Sequence, residues 1–426
     1  MPFTGINAIL RRFFALNCLT LGASLACLAG EPATADERFD GLPLDLPVVD
    51  FLPKSLLKGD GYRLAERVSN DGFQNTYTVH SDYGVFTVTG TEELRVRLQE
   101  IKATEALQAL EQSDEFKEAA KSAATGLEEA GKALVETPAE TTKAAARGVG
   151  QWMRNVGSSF TSEDPHQDNA LETAIGYDMV KRRYALEMGV DPYTSFEPFQ
   201  DSLSRVAKAA TAGSMVTSFA IDIGTSGSLL GTVVDATNLA KMKGLLMDNP
   251  PASLARINRQ KLIDIGIAGY QADALLKNYN YTPTEITLLC EALLQMGDIQ
   301  GREIFVAFAT SAPDPEVANF MRHYAVTLAL YMNRVETGDI VDISGAAWML
   351  SDSKALVGAF PMDYVAWTPG LSKSLARASD RMDTLGARDK KLFLTGKFSS
   401  LARDALEKQG WKVTEYSKFT GGEPQL

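Results

Sequence analysis

The chain is 426 residues long, 45% hydrophobic, with 54 acidic against 42 basic side chains and a net charge of −12 at pH 7. A field of that sign repels nucleic-acid phosphates and no Lys/Arg-rich run offsets it, so a nucleic-acid partner is not expected. The length exceeds what one compact core usually holds, and two or more subdomains are expected.

At the N-terminus, Arg11 and Arg12 precede a mostly apolar run from Phe13 to Leu28, and Ala33-Thr34-Ala35 sets small residues where a signal peptidase reads. Residues 1–35 read as a secretory signal peptide, because the run is shorter than the ~20 residues that span a bilayer. Cleavage after Ala35 would deliver a periplasmic protein. Ser24-Leu25-Ala26-Cys27 offers the alternative of lipidation at Cys27 and a membrane anchor, with Leu25 a poor fit to that motif. Cleavage removes Arg11, Arg12 and Glu31, leaving 40 basic against 53 acidic residues. It also removes Cys18 and Cys27, so Cys290 alone remains and an internal disulfide is ruled out. Cys290 shares a helical face with Ile286, Leu289 and Leu293, the pattern of a buried small hydrophobe rather than a reactive thiolate.

Residues 36–53 are proline-rich and read as an extended linker. Within 54–112, Asn75–His80 and Val85–Thr89 are β-branched and aromatic and flank the turn Ser81-Asp82-Tyr83-Gly84, which predicts a hairpin packed on a helix from Thr91 to Gln112. Residues 113–160 predict alanine-rich amphipathic helices. The first carries a seam of Phe116, Ala120, Ala123, Leu127, Ala130 and Leu134. The second, Pro138 to Gly157, starts on a Thr137/Glu140 capping box. It gathers Val149, Trp152 and Met153 on one side and Lys143, Arg147 and Arg154 nearly opposite. That stripe fits packing on the preceding seam, or contact with a membrane or partner surface.

Residues 161–338 predict a helical domain. Ala209–Val234, rich in small and hydroxyl residues and broken at Gly224-Thr225-Ser226-Gly227, reads as two tightly packed buried helices rather than a membrane span. Thr282-Pro283-Thr284-Glu285 is a second capping box. Asp314-Pro315 starts a helix with the stripe Val317, Met321, Tyr324, Leu328, Tyr331 and Val335, and His323 on its flank. Residues 339–420 predict a small α/β unit: a hairpin around Asp352-Ser353-Lys354, a helix from Pro369 to Met382, and a strand–helix–strand crossover from Leu392 to Thr414. Residues 421–426 form a tail. The fold class is therefore α+β and predominantly α-helical.

The chemistry legible in the residues is sparse. The turn before Ser399 carries a weak anion-site pattern in Gly396, Lys397, Ser399 and Ser400, but a P-loop needs a glycine where Lys391 stands, and helix capping accounts for the serines. His80, His166 and His323 show no metal-ligand spacing, and neither a metal nor a cofactor is expected. No Gly-x-Ser-x-Gly elbow occurs, and the Ser-x-x-Lys matches at Ser55 and Ser351 lack their accompanying elements. Catalytic residues are not identifiable, although a carboxylate pair acting on the cell wall is compatible with the composition.

Leu186–Ser195, LEMGVDPYTS, and the segment from Thr395-Gly396 to Gly410-Trp411 resemble uncharacterised exported proteins of Gram-negative bacteria. The resemblance extends to the hairpin and the alanine-rich helices; it implies an envelope location and carries no activity. The expected function is a non-enzymatic envelope interaction or scaffold role, with an unidentified envelope protein or membrane surface as partner and the oligomeric state open. A membrane-associated lipid-binding protein and a carboxylate-dependent cell-wall hydrolase are the alternatives.

Overall fold

The computed structural model describes residues 38–114, 116, 117, 121, 176–212 and 236–416. The signal peptide, Cys27, the helix from Pro138 to Gly157 with its six contact candidates, His166, most of Ala209–Val234 and the tail lie outside the described residues. The described chain is mixed α+β, 53% helical and 20% strand.

The N-terminal region is a six-stranded sheet: β1 (Leu44–Pro47), β2 (Lys58–Gly59), β3 (Tyr62–Leu64), β4 (Arg67–Asn70), β5 (Asn75–Ser81) and β6 (Gly84–Thr89). The order is β1-β4-β5-β3-β2, with β6 also paired to β5. The expected hairpin is thus β5–β6, in register from Thr76↔Thr89 to Ser81↔Gly84, set within a larger sheet. The expected extended linker is corrected: residues 44–47 pair antiparallel with β4, and Asp40 is bonded to Trp367. Proline is tolerated there because β1 is an edge strand, where a missing N–H costs no ladder bond. Alternation along β5 buries Asn75, Tyr77 and Val79 under α1 (Thr91–Glu111), whose Leu94, Leu98, Ile101 and Leu107 complete a helical stripe.

The helical middle comprises α2 (Tyr177–Glu187), α3 (Glu197–Ala212), α4 (Ala236–Asp248), α5 (Pro251–Asp264), α6 (Gly269–Leu276), α7 (Pro283–Gln295), α8 (Arg302–Thr310) and α9 (Pro315–Arg334). Both helix starts anticipated from sequence are present. Thr282 and Glu285 exchange reciprocal backbone hydrogen bonds at α7, and the Asp314 carboxylate accepts from Val317 N–H at 2.9 Å. The stripe on α9 is buried from Val317 to Tyr331, but Val335 lies past the helix end and is exposed.

The C-terminal region holds β7 (Gly338–Ile343), β8 (Ala346–Ser351), β9 (Ala355–Phe360), β10 (Tyr364–Val365), α10 (Pro369–Asp380), α11 (Met382–Leu385), β11 (Asp389–Leu394), β12 (Lys397–Phe398), α12 (Ser400–Lys408) and β13 (Lys412–Glu415). Its main sheet runs β13-β11-β9-β8-β7, with β9, β11 and β13 parallel and β7–β8–β9 antiparallel. Every residue of β9 is buried, as expected of a central strand covered on both faces. The region is consistent with the expected C-terminal α/β unit, and it does not pack alone. Its strands share one hydrophobic cluster with α7, α8 and α9, in which Trp348 meets Phe360 and Trp411 at ring-centroid distances of 5.4 and 5.8 Å.

The link after β9, which carries the short β10, ties the C-terminal region to the N-terminal sheet. Asp363 and Tyr364 N–H donate to Phe73 carbonyl oxygen at 3.0 and 3.2 Å, Ala366 N–H donates to Gly72, and Gln74 Nε2 donates to Pro361. Residues near 72 and near 363 therefore form one seam.

Candidate functional site

A cavity of about 420 Å³ opens on that seam. Six described segments frame it: the 3₁₀ turn and loop of residues 49–53, Gln74 before β5, the β6–α1 junction at residues 89–93, the first half of α9, residues 361–363, and the turn of residues 395–397. Phe51, Leu52, Pro53, Phe320 and Pro361 supply apolar wall, while Asp50, Glu92, Glu93, Glu316 and Asp363 bring five carboxylates. A concave, largely apolar wall with a few convergent polar groups is the usual form of a ligand site.

Local backbone chemistry explains why these groups converge. Gly90 has φ +92°, a conformation open to glycine, and turns β6 directly into α1. The helix then begins without a side-chain cap of its own, so its first N–H needs an external acceptor. Asp363 supplies it: both carboxylate oxygens lie 3.1 Å from Thr91 N, and Oδ2 also accepts from Asn75 N–H at 2.9 Å. Burial pushes the Asp363 carboxyl up to about 6, with these donors holding it lower than burial alone would. Gly396 is required opposite: a Cβ there would stand 2.0 Å from Asp363 carbonyl oxygen.

Glu93, in the first turn of α1, meets Arg322 and His323 of α9. Arg322 Nη2 lies 2.9 Å and His323 Nε2 3.0 Å from the same Glu93 Oε1. Arg322 is fully buried, and its Nε and Nη1 make no hydrogen bond. Arg322 Nη2 also reaches Asn319 Oδ1 at 3.2 Å. The same Nη2 stands 2.9 Å from His323 Nε2. Because a bare Nε2 lone pair would face the Glu93 carboxylate at 3.0 Å, the tautomer assigned carries its proton on Nε2 and donates it to Glu93, with the two Nη2 hydrogens on Glu93 and Asn319. His323 Nδ1 is then a bare acceptor, with no partner among the described residues, on a cavity-lining side chain only 12% exposed. Burial and the Arg322 charge hold the imidazole below its usual range, hence neutral near pH 7. Burial alone would raise the Glu93 pKa, but the His323 hydrogen bond and the charges of Arg322 and Arg97 outweigh it and hold the carboxyl below its ordinary range.

Behind Glu93 lies a second, smaller cavity of about 190 Å³, which Glu93 also lines, together with Glu100, Asp191 and Glu285. Glu100 accepts from Thr194 Oγ1 and stands 2.9 Å from Arg97 Nη1. Asp191 accepts from Thr282 Oγ1 at 2.5 Å and Thr284 Oγ1 at 2.7 Å. Burial pushes Glu100 up to about 7 and Glu285 up to about 8, with neighbouring carboxylates adding to both.

Of the four weak anion candidates, Gly396 and Lys397 line the larger cavity and Ser399 and Ser400 do not. Lys397 Nζ donates to Asp50 carbonyl oxygen at 2.8 Å. Ser399 caps α12 by accepting from Ala402 N–H at 3.0 Å, and its hydroxyl donates to Asp40 at 2.6 Å, so an internal carboxylate stands at this helix start; Ser400 is exposed. Cys290 is fully buried and its thiol is pushed up to about 12 by desolvation. His323 had been read only as a flank residue, and Glu93 and Arg322 carried no signal, because 229 residues separate the Glu93–Arg322 pair. The one available clue was Arg322 beside the apolar stripe of α9, since α1 is charged along much of its length.

Among the described residues no cluster of three or more His, Cys, Asp or Glu is placed to hold a metal ion, and no helix is long and apolar enough to cross a membrane. Compared with known proteins, the chain matches no family model, no curated protein and no solved structure.

Proposed function

We propose that the protein is an exported, non-enzymatic recognition protein of the cell envelope, and that the cavity on the 72/363 seam is where it holds its ligand. The observation that carries this reading is a concavity of about 420 Å³ whose apolar wall is interrupted by unevenly paired polar groups, His323 Nδ1 above all. Buried charge such as Arg322 is costly and adds little stability compared with apolar packing, which makes a functional reason for retaining it the more economical one. Export rests on the N-terminal signal pattern, with periplasmic release ahead of lipidation at Cys27.

Two measurements test the two halves of the proposal. Mass measurement of the mature N-terminus is expected to place it at Asp36, and a diacylglyceryl group on Cys27 would move the protein to a membrane-anchored class. Native protein purified from the envelope is expected to hold a small molecule that unfolding releases, and Thr395→Trp, which adds an indole at the cavity wall, is expected to abolish retention. An empty native protein, or equal retention by that variant, would overturn the recognition role. A second reading, a hydrolase with water activated at His323 and Glu93 as the orienting carboxylate, is favoured by the Nε2–Glu93 contact of 3.0 Å. Chemical conversion of the retained molecule by wild type and not by His323→Phe would select it.

A further inference from the structure

Resting on the recognition role of the cavity, we infer that its ligand is an organic cation: an ammonium or guanidinium group donating to Glu93, Glu316 and His323 Nδ1, with a short apolar body against Phe51, Leu52 and Phe320. Three observations carry this assignment. The first is charge. Five carboxylates line the cavity against the single ammonium of Lys397, and that ammonium is already bonded to Asp50 carbonyl oxygen. Arg322 compensates Glu93 from behind the wall, whereas among the described residues no cation is paired with Glu316, whose carboxyl has a hydrogen bond from Thr89. An anionic ligand would meet repulsion from most of the lining.

The second observation is hydrogen-bond polarity. Carboxylates only accept when ionised, and the network leaves Nδ1 of His323 as an acceptor as well. Gln74 commits one Nε2 hydrogen to Pro361 carbonyl oxygen. At the start of α1 the Thr91 N–H, which would attract an anion, is engaged by Asp363. Acceptor oxygens of the carboxylates therefore predominate in the lining. A ligand bearing several N–H donors complements it; a carboxylate or phosphate does not.

The third observation is shape. Phe320 sits one helical turn from both Glu316 and His323 on α9, so an apolar ring stands beside the acceptors in the lining. Ring faces near a cation add attraction to the burial of its alkyl portion. The volume admits a small molecule rather than a polymer segment.

The test is titration calorimetry of the mature chain at pH 7.5 with n-pentylammonium, n-pentanol and n-pentanoate, three probes matched in size and differing in head group. Saturable binding of pentylammonium alone is expected. Glu316→Gln, at an exposed position, should weaken it by about tenfold, as loss of a charge-assisted hydrogen bond does, without moving the melting temperature. His323→Phe should weaken it similarly, while His323→Gln, which retains an acceptor, should restore part of the loss. Binding of pentanoate or pentanol in preference to the cation would overturn the ligand assignment and leave the recognition role standing. Equal binding by wild type and Glu316→Gln, or no binding of any probe, would overturn the assignment too, while the envelope-isolation experiment decides the recognition role separately.

Discussion

Glu93 and Glu100 stand two turns apart on one face of α1, both withdrawn from solvent, yet their environments drive them in opposite directions. Glu93 is kept ionised because the buried Arg322 and the His323 ring meet it directly. Glu100, with Asp191 and Glu285 as neighbours and Arg97 at 2.9 Å as its nearest cation, is pushed up to about 7. The Glu100 side chain is the more deeply buried, 3% exposed against 24% for Glu93, and burial together with the balance of countercharge decides between an ionised carboxylate and one that retains its proton. The ionised site opens on the larger cavity and the proton-retaining site on the smaller.

The largest effect expected from breaking this contrast is at its single buried cation. Arg322→Leu leaves Glu93 and Glu285 facing each other without compensation, and should lower stability by about 3–5 kcal/mol in urea unfolding. Adding Glu93→Gln should recover part of that loss; if the double variant is as unstable as the single, Arg322 acts by packing and the electrostatic contrast fails.

The second prediction uses pH. Glu100 and Glu285 have folded pKa values above the ordinary carboxylate value, so each contributes stability that is complete below about 4.5 and is lost as pH rises through about 7 and about 8, respectively. Glu93 has the opposite sign: its pKa is lowered, and its contribution is lost as pH falls. Wild type should therefore be less stable at pH 9 than at pH 5 from the smaller cavity's side. Glu285→Gln keeps the acceptor for Thr282 N–H and should flatten that alkaline loss by on the order of 1–3 kcal/mol. Unfolding curves at the two pH values check it, and an unchanged pH slope would show that Glu285 does not retain a proton.

A smaller effect is expected at Cys290, which sits in apolar surroundings with no partner of either sign in hydrogen-bond contact. It should react with a thiol reagent only on unfolding, and Cys290→Ser should cost about 1–3 kcal/mol by burying a hydroxyl. Rapid labelling of the native protein would contradict its place in the core. The smallest stability change belongs to Glu316→Gln at the exposed rim, within about 0.5 kcal/mol of wild type; a larger loss would mean that the rim is part of the fold and not a free ligand contact.

Local chemistry was legible where it repeats within a few residues. The β5–β6 register, the α7 capping box, the α9 aspartate cap, the burial of Cys290 and the parallel β11–α12–β13 pairing all follow from neighbours in sequence. Strands β1 to β4 were missed because each is two to four residues long and carries proline, charge or glycine, too short to display alternation. The C-terminal region reads as a small unit from its element pattern, yet its continuous apolar strands need cover on both faces, and α7 to α9 provide it.

By itself, then, the sequence determined the mixed α+β class, the negative charge and the caps that start α7, α9 and α12, because these depend on composition and on contacts closed within about one helical turn. Only the tertiary structure decided that Asp363 caps a helix 272 residues earlier and that Glu93 meets His323 across 230 residues. A side chain's ionisation and free valences depend on groups brought close in space, and no periodicity in the chain encodes a pairing between the start of α1 and a loop 272 residues away or a helix 230 residues away.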